Sequence, residues 1–273
     1  MKNLFRHWDN FKKGLSNKYI MLFLDYDGTL VPIVRTPDKA VLCKETKGLL
    51  ADLSRIRNCK LAIISGRDLK DIKGKVGIKG IVYAGNHGFQ IEGPKVKLNK
   101  IVPAKYKKNL EKIRNDLKKK LSSVKGVFIE DKRLSLSLHY RMVDRKEVHL
   151  VKNIFSEVAN PYLVKNDIKI NKGKKLLEVR PVVDWDKGKA VLWLLSKQKF
   201  ILEEDRMLPI YIGDDVTDED AFKVLKNKGI SIFVGKPGKS NADFYLKDTK
   251  EVKDFLIRIL ELLNIGKNNG GTY

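Results

Sequence analysis

Four polar signatures punctuate the apolar runs of this chain, in a fixed order: Asp25-Tyr26-Asp27-Gly28-Thr29-Leu30, Ser65-Gly66-Arg67, Lys187-Gly188-Lys189 and Gly213-Asp214-Asp215-Val216-Thr217-Asp218. The first follows Ile20-Met21-Leu22-Phe23-Leu24, a short continuous apolar run of the kind a strand shows when both faces of a parallel sheet are covered. Ligands of open α/β sheets gather at the carboxyl ends of such strands, so Asp25 and Asp27 are placed for chemistry rather than packing. A single Asp-x-Asp-Gly is also an ordinary turn, and the ordered set of four is what distinguishes the two.

Residues 19–102 and 188–262 alternate strand-like and helix-like stretches, which predicts a doubly wound, Rossmann-like parallel sheet with helices on both faces. The expected strands are 20–25, 60–65, 80–84, 208–213, 230–234 and 243–246. The expected helices lie near 44–57, 68–74, 187–199, 218–228 and 249–264. In the last of these, Val252, Phe255, Leu256, Ile259, Leu260 and Leu263 share one face. Between the halves the texture changes to αββαββ: helices around Leu110 to Leu121 and Val148 to Val158, and short strands near 127–129, 134–138, 168–170 and 176–179. This reads as a smaller α+β cap, residues 104–180, inserted into a core of residues 1–103 plus 181–273, with hinges near Val102-Pro103 and Arg180-Pro181. The tail from Gly266 to Gly271 is expected to be disordered.

The formal charge is +23, which taken alone suits a nucleic-acid binder. The lysines are spread along the whole chain, as in Lys105-Tyr106-Lys107-Lys108 and Lys118-Lys119-Lys120, with acids interspersed and no nucleic-acid motif beside them. Solvated helix faces explain such runs, and a positive field also favours an anionic small substrate. Cys43 and Cys59 have no metal-like spacing and read as reduced structural thiols. No apolar run is long enough to span a bilayer, and the first nine residues have no apolar core of a secretion signal. The expectation is a cytoplasmic enzyme, with neither membrane nor nucleic acid as partner and nothing requiring more than a monomer.

The four signatures in this order resemble the haloacid dehalogenase superfamily of aspartate-nucleophile phosphatases. Asp25 to Ile33, Ile64-Ser65-Gly66-Arg67, Gly85-Asn86-His87-Gly88, Glu130-Asp131-Lys132, Ser137-Leu138-His139-Tyr140-Arg141, Glu178-Val179-Arg180-Pro181 and Gly213 to Phe222 narrow the likeness to its trehalose-6-phosphate phosphatase family. The match extends from about residue 19 to 235. It implies Asp25 as nucleophile, Asp27 as acid and base, and Ser65 and Lys187 as phosphate-holding groups. It further implies Mg²⁺ on Asp25, the Asp27 main-chain carbonyl and Asp214, with Asp215 and Asp218 as outer groups. Arg67, Asn86, His87, Glu130, Lys132 and Glu178 would bind the sugar phosphate. His139 and Arg141 alternate on one strand face, where an ion-pair role is an equal reading. Phosphatases of sucrose 6-phosphate or glucosylglycerol phosphate share the same core chemistry, and a regulatory or nucleic-acid-binding protein on this scaffold is the alternative of another class.

Overall fold

In the computed structural model, which describes residues 1–16, 18–202 and 206–268, the chain divides into two compact units. One comprises Met1–Asn99 with Trp185 onward, the other Lys100–Asp184. The first opens with β1 (Lys2–Asn3) and α1 (Trp8–Lys13), then β2 (Tyr19–Leu24), α2 (Lys44–Arg55), β3 (Cys59–Ile64), α3 (Leu69–Val76), β4 (Val82–Gly85), β5 (Gln90–Gly93) and β6 (Val96–Asn99). The inserted unit holds α4 (Ala104–Lys120), β7 (Phe128–Asp131), β8 (Leu136–His139), α5 (Val148–Val164), β9 (Ile168–Gly173) and β10 (Leu176–Pro181). The first unit then resumes with α6 (Lys187–Leu202), β11 (Met207–Gly213), α7 (Glu219–Leu225), β12 (Ile230–Val234), β13 (Phe244–Leu246) and α8 (Thr249–Asn268).

The larger sheet runs β1-β13-β12-β11-β2-β3-β4-β5-β6. Every pairing from β1 to β4 is parallel. All six residues of β2 are buried, and its side chains alternate between two apolar layers. Ile20, Leu22 and Leu24 join Leu50 and Leu53 of α2 and Phe255, Leu256 and Ile259 of α8. Met21 and Phe23 join Ala190 and Leu194 of α6 and Phe222 and Leu225 of α7. This two-sided burial is why the run is continuous rather than alternating.

Two parts of this unit went unread in the sequence. β5 and β6 form an antiparallel edge hairpin whose turn, Pro94-Lys95, takes a positive φ of 59° at Lys95. At the opposite edge β1 pairs with β13, Leu4 is fully buried, and Trp8 and Phe11 meet Phe255 edge-on, so the first residues belong to the core. Helix α8 continues past the point where disorder was expected, and residues 269–271 lie outside the described residues. Of the two thiols, Cys59 is buried in β3 and Cys43 is exposed before α2.

The inserted unit is a four-stranded antiparallel sheet, order β7-β8-β10-β9. Leu136, Leu138, Leu177 and Val179 point to one face, while Ile113 and Leu117 of α4 and Val151 and Phe155 of α5 supply further buried apolar side chains. The other face carries a row of polar partners in register: Glu130 beside Ser137, Ser137 beside Glu178, Glu178 beside Asn171. The period of two sorts these strands into an oily side and a hydrogen-bonding side. Strand β8 ends at His139, so Arg141 does not share its face; it lies in the following turn, donating to the Lys174 carbonyl at 2.6 Å.

Candidate active site

Asp25, Ser65 and Asp214 each stand one residue beyond the carboxyl end of neighbouring strands, β2, β3 and β11. The Asp25 amide still donates to the Ile212 carbonyl at 2.9 Å, which sets its height against the β11 end. Lys187 begins α6, whose first turn is fixed by Asp186 accepting from the Lys189 amide at 2.8 Å. Thus three strand ends and one helix start deliver the four signatures to one place.

The buried centre of that place is Asp218, which is fully shielded from solvent. One of its oxygens accepts from Lys187 Nζ at 2.7 Å and from the Tyr211 hydroxyl at 2.7 Å. The other accepts from the amides of Asp214 at 3.0 Å and Asp215 at 2.9 Å. Gly213 makes room for this, since a Cβ there would lie 2.3 Å from the Asp218 carboxylate. Lys187 turns a second N–H to Asp25 Oδ1 at 2.8 Å. Thr29 approaches the other Asp25 oxygen at 3.4 Å.

Carboxylate oxygens of Asp25, Asp214 and Asp218 lie within 4.8 Å of one another, and all three residues are buried. Burial first, and the negative neighbours Asp218 and Asp214 next, push the Asp25 carboxyl well above the usual carboxylate range, with Lys187 pulling the other way. Burial disfavours the Lys187 ammonium, but Asp218 and Asp25 outweigh it and hold the amine protonated. Three acids facing one ammonium leave negative charge that a divalent cation balances. Asp218 spends its oxygens on four donors, so Asp25 and Asp214 are the side chains fitted to hold the metal. Gly28, at φ 91°, brings the Asp27-Gly28 main chain against Asp214: a Cβ there would fall 2.1 to 2.7 Å from that carboxylate. An all-oxygen set of this kind suits a hard cation.

Asp27 is placed differently. Its side chain is 40% exposed and is gripped by Arg67, Nε to one oxygen at 2.6 Å and Nη2 to the other at 2.7 Å. Arg67 also donates to Asp71 at 2.8 Å and to the Pro37 carbonyl at 2.9 Å, over the face of Tyr26. Ser65 is buried, and its hydroxyl accepts from the Arg67 amide at 3.1 Å. Asn86 and His87, with φ of 49° and 58°, fold back on this segment, their amides donating to the carbonyls of Arg67 at 2.6 Å and Ser65 at 2.9 Å. Positive φ at two successive non-glycine residues marks a backbone held by its surroundings. The Asn86 amide group turns to Gln90 at 3.2 Å, and Trp185 anchors the turn by donating to the Gly88 carbonyl at 2.8 Å.

In the inserted unit, Glu178 Oε1 accepts from Lys132 at 3.1 Å, Ser135 at 3.1 Å and Ser137 at 3.4 Å. Glu130 pairs with His139 at 2.8 Å. Lys132 Nζ also lies 4.0 Å from Glu130 Oε2, so the three residues singled out there, Glu130, Lys132 and Glu178, belong to one polar cluster. Sequence reasoning missed Tyr211, Asp71, Ser135 and Trp185. Tyr211 had a readable signal, a hydroxyl inside an otherwise apolar buried strand; the others rest on long-range pairing.

A family model described as trehalose-phosphatase matches residues 23–250. The chain belongs to the trehalose-phosphatase family. It is 38% identical over 271 residues to trehalose-phosphate phosphatase B of Arabidopsis thaliana, covering 95% of this chain and 70% of that protein. It resembles the C-terminal domain of the trehalose-6-phosphate phosphatase of C. albicans with a TM-score of 0.81 at 27% identity, covering 96% and 99% of the two chains. A haloacid dehalogenase-like hydrolase from Bacteroides thetaiotaomicron shares the fold, with a TM-score of 0.61 at 16% identity and coverage of 89% and 100%. The protein is thus a phosphoric monoester hydrolase of the α/β haloacid dehalogenase fold with an inserted cap, acting on a small sugar phosphate.

Proposed function

We propose that the protein hydrolyses trehalose 6-phosphate to trehalose and phosphate, with Mg²⁺, through an aspartyl-phosphate on Asp25. The observation that carries this reading is Lys187 bridging Asp25 and Asp218 beside buried Asp214, in a chain that matches its family over residues 23–250. An Asp25 oxygen attacks phosphorus and the bond from phosphorus to the sugar oxygen breaks. Asp27 gives its proton to the departing alcohol, then as a carboxylate takes one from the water that attacks the phosphorus of the aspartyl-phosphate. Phosphate leaves and Asp25 is regenerated. Arg67 keeps Asp27 aimed in its ionised state, while Asp71 and the Pro37 carbonyl hold the guanidinium when Asp27 is protonated.

Lys187 has one N–H beyond those given to Asp25 and Asp218, directed here to a phosphoryl oxygen, and the Ser65 hydroxyl supplies another donor. Asp25, Asp214 and the Asp27 carbonyl would hold Mg²⁺, which when bound neutralises phosphoryl oxygens and aligns phosphorus with the nucleophile. Asp215 and Asp218 serve as outer groups. Asn86 and His87 are assigned to the phosphate-bearing end of the substrate, where Arg67 acts through Asp27, and Glu130, Lys132 and Glu178 to its hydroxyls. Among the described residues no helix is long and apolar enough to cross a membrane; we read the enzyme as cytoplasmic and independent of nucleic acid. Phosphate release from a panel of trehalose 6-phosphate, sucrose 6-phosphate, glucosylglycerol phosphate and glucose 6-phosphate, with Mg²⁺ or a chelator, tests the proposal. Trehalose 6-phosphate should be turned over fastest and only with the metal. Preference for another sugar, or unchanged release in chelator, would overturn it.

A further inference from the structure

Strand β11 carries its one hydroxyl, Tyr211, into the apolar layer formed by Phe23 and Phe222. Its ring stacks with Phe23 at 6.3 Å and meets Phe222 edge-on at 5.7 Å, and the residue is fully buried. Phenylalanine would pack there equally well without the cost of burying a phenol, so packing does not account for the hydroxyl. That hydroxyl donates at 2.7 Å to the same Asp218 oxygen that receives Lys187 at 2.7 Å.

From this shared acceptor we infer that Tyr211 is a positioning residue for phosphoryl transfer, dividing the Lys187 ammonium between Asp218 and Asp25. Two carboxylates compete for one cation. The phenol proton occupies one lone pair of the Asp218 oxygen and withdraws part of its negative charge, which weakens its hold on Lys187. More of the ammonium's field then reaches Asp25 and the phosphoryl group. Remove the hydroxyl and Asp218 competes for Lys187 more strongly, drawing the ammonium from the nucleophile. The second Asp218 oxygen holds the Asp214 and Asp215 amides, so the hydroxyl also fixes the carboxylate plane that shapes the Asp214 turn.

This inference rests on the phosphatase reading, and its test separates the two. Wild type, Tyr211→Phe, Asp218→Asn and the double variant are compared on trehalose 6-phosphate and on p-nitrophenyl phosphate, together with the unfolding midpoint and folded fraction of each. If wild type releases phosphate from the aryl ester but not from trehalose 6-phosphate, the substrate reading fails and the aryl ester still reports on Tyr211. Tyr211→Phe should lower kcat about tenfold on each accepted substrate, the loss of a hydrogen bond to a charged group, with KM within about twofold. The double variant should be no slower than Asp218→Asn alone, because Tyr211 acts through Asp218. An unaltered kcat, a loss wholly explained by a smaller folded fraction, or additive losses in the double variant would each overturn the inference.

Discussion

Arg67 holds Asp27 with two parallel hydrogen bonds, Nε at 2.6 Å and Nη2 at 2.7 Å, across 40 positions of sequence. A planar fork matched to a carboxylate fixes orientation as well as charge, which a lysine ammonium does not do. The geometry ties Arg67 to the proposed acid and base, whereas the family resemblance implied substrate binding.

The two roles separate by leaving group. A sugar alcohol needs a proton as it departs, and p-nitrophenolate does not. Arg67→Lys should lower kcat/KM on trehalose 6-phosphate by about ten- to a hundredfold, since general acid catalysis contributes roughly two to four powers of ten and misaiming Asp27 forfeits part of it. The value on p-nitrophenyl phosphate should stay close to wild type. Equal losses on both substrates would put Arg67 on the phosphate instead.

Glu130, Lys132 and Glu178 should act selectively. Glu178 binds Lys132, Ser135 and Ser137 in the buried part of a polar cluster whose partly buried end is Glu130 with His139, and losing one partner leaves polar groups unmatched by the sugar hydroxyls. Alanine at each position should cost about 1–3 kcal/mol, roughly ten- to a hundredfold in kcat/KM, on trehalose 6-phosphate. Steady-state rates on p-nitrophenyl phosphate should fall far less, and parallel losses would assign these residues to folding alone.

Metal should show in stability as well as rate. Asp25 is buried among Asp214 and Asp218, so its carboxyl titrates above the ordinary range in the folded protein. A folded value raised above the unfolded one, about 4, means that the folded state gains by binding the proton, and this metal-free stability is present below the unfolded value and lost as pH rises from it through the folded value. Mg²⁺ should therefore raise the unfolding midpoint at neutral pH and lose this effect in acid. Asp214→Asn should abolish most of the shift, measured by thermal unfolding with and without chelator, and an undiminished shift would exclude Asp214 as a ligand.

Much of this was legible because burial on both faces writes itself as a continuous apolar run: residues 20–24 and 208–212 gave their strands, and the polar residues after them gave Asp25 and Asp214. The αββαββ order of the insert was readable from period-two and helical spacing. The edge hairpin was not, because β5 and β6 have four residues each and offer only Ile91, Val96 and Leu98 as apolar signal. Pairing of Lys2 with Phe244 is tertiary and leaves no local trace. The same holds within the site: the four signatures announced which residues convene, but Arg67 on Asp27 and Lys132 on Glu178 are pairings across 40 and 46 positions that no spacing encodes.

The central claim is that Asp25 takes the phosphoryl group from trehalose 6-phosphate. Rapid acid quench of the enzyme with ³²P-labelled trehalose 6-phosphate and Mg²⁺, followed by peptide mapping, tests it directly. Label should appear on Asp25 before steady-state phosphate release, form and decay more slowly in Asp27→Asn, where both proton donation to the sugar and activation of water are impaired, and be absent in Asp25→Asn, which should not turn over. Normal turnover by the wild type with no label on Asp25 at any time, or near-normal activity in Asp25→Asn, would contradict the account.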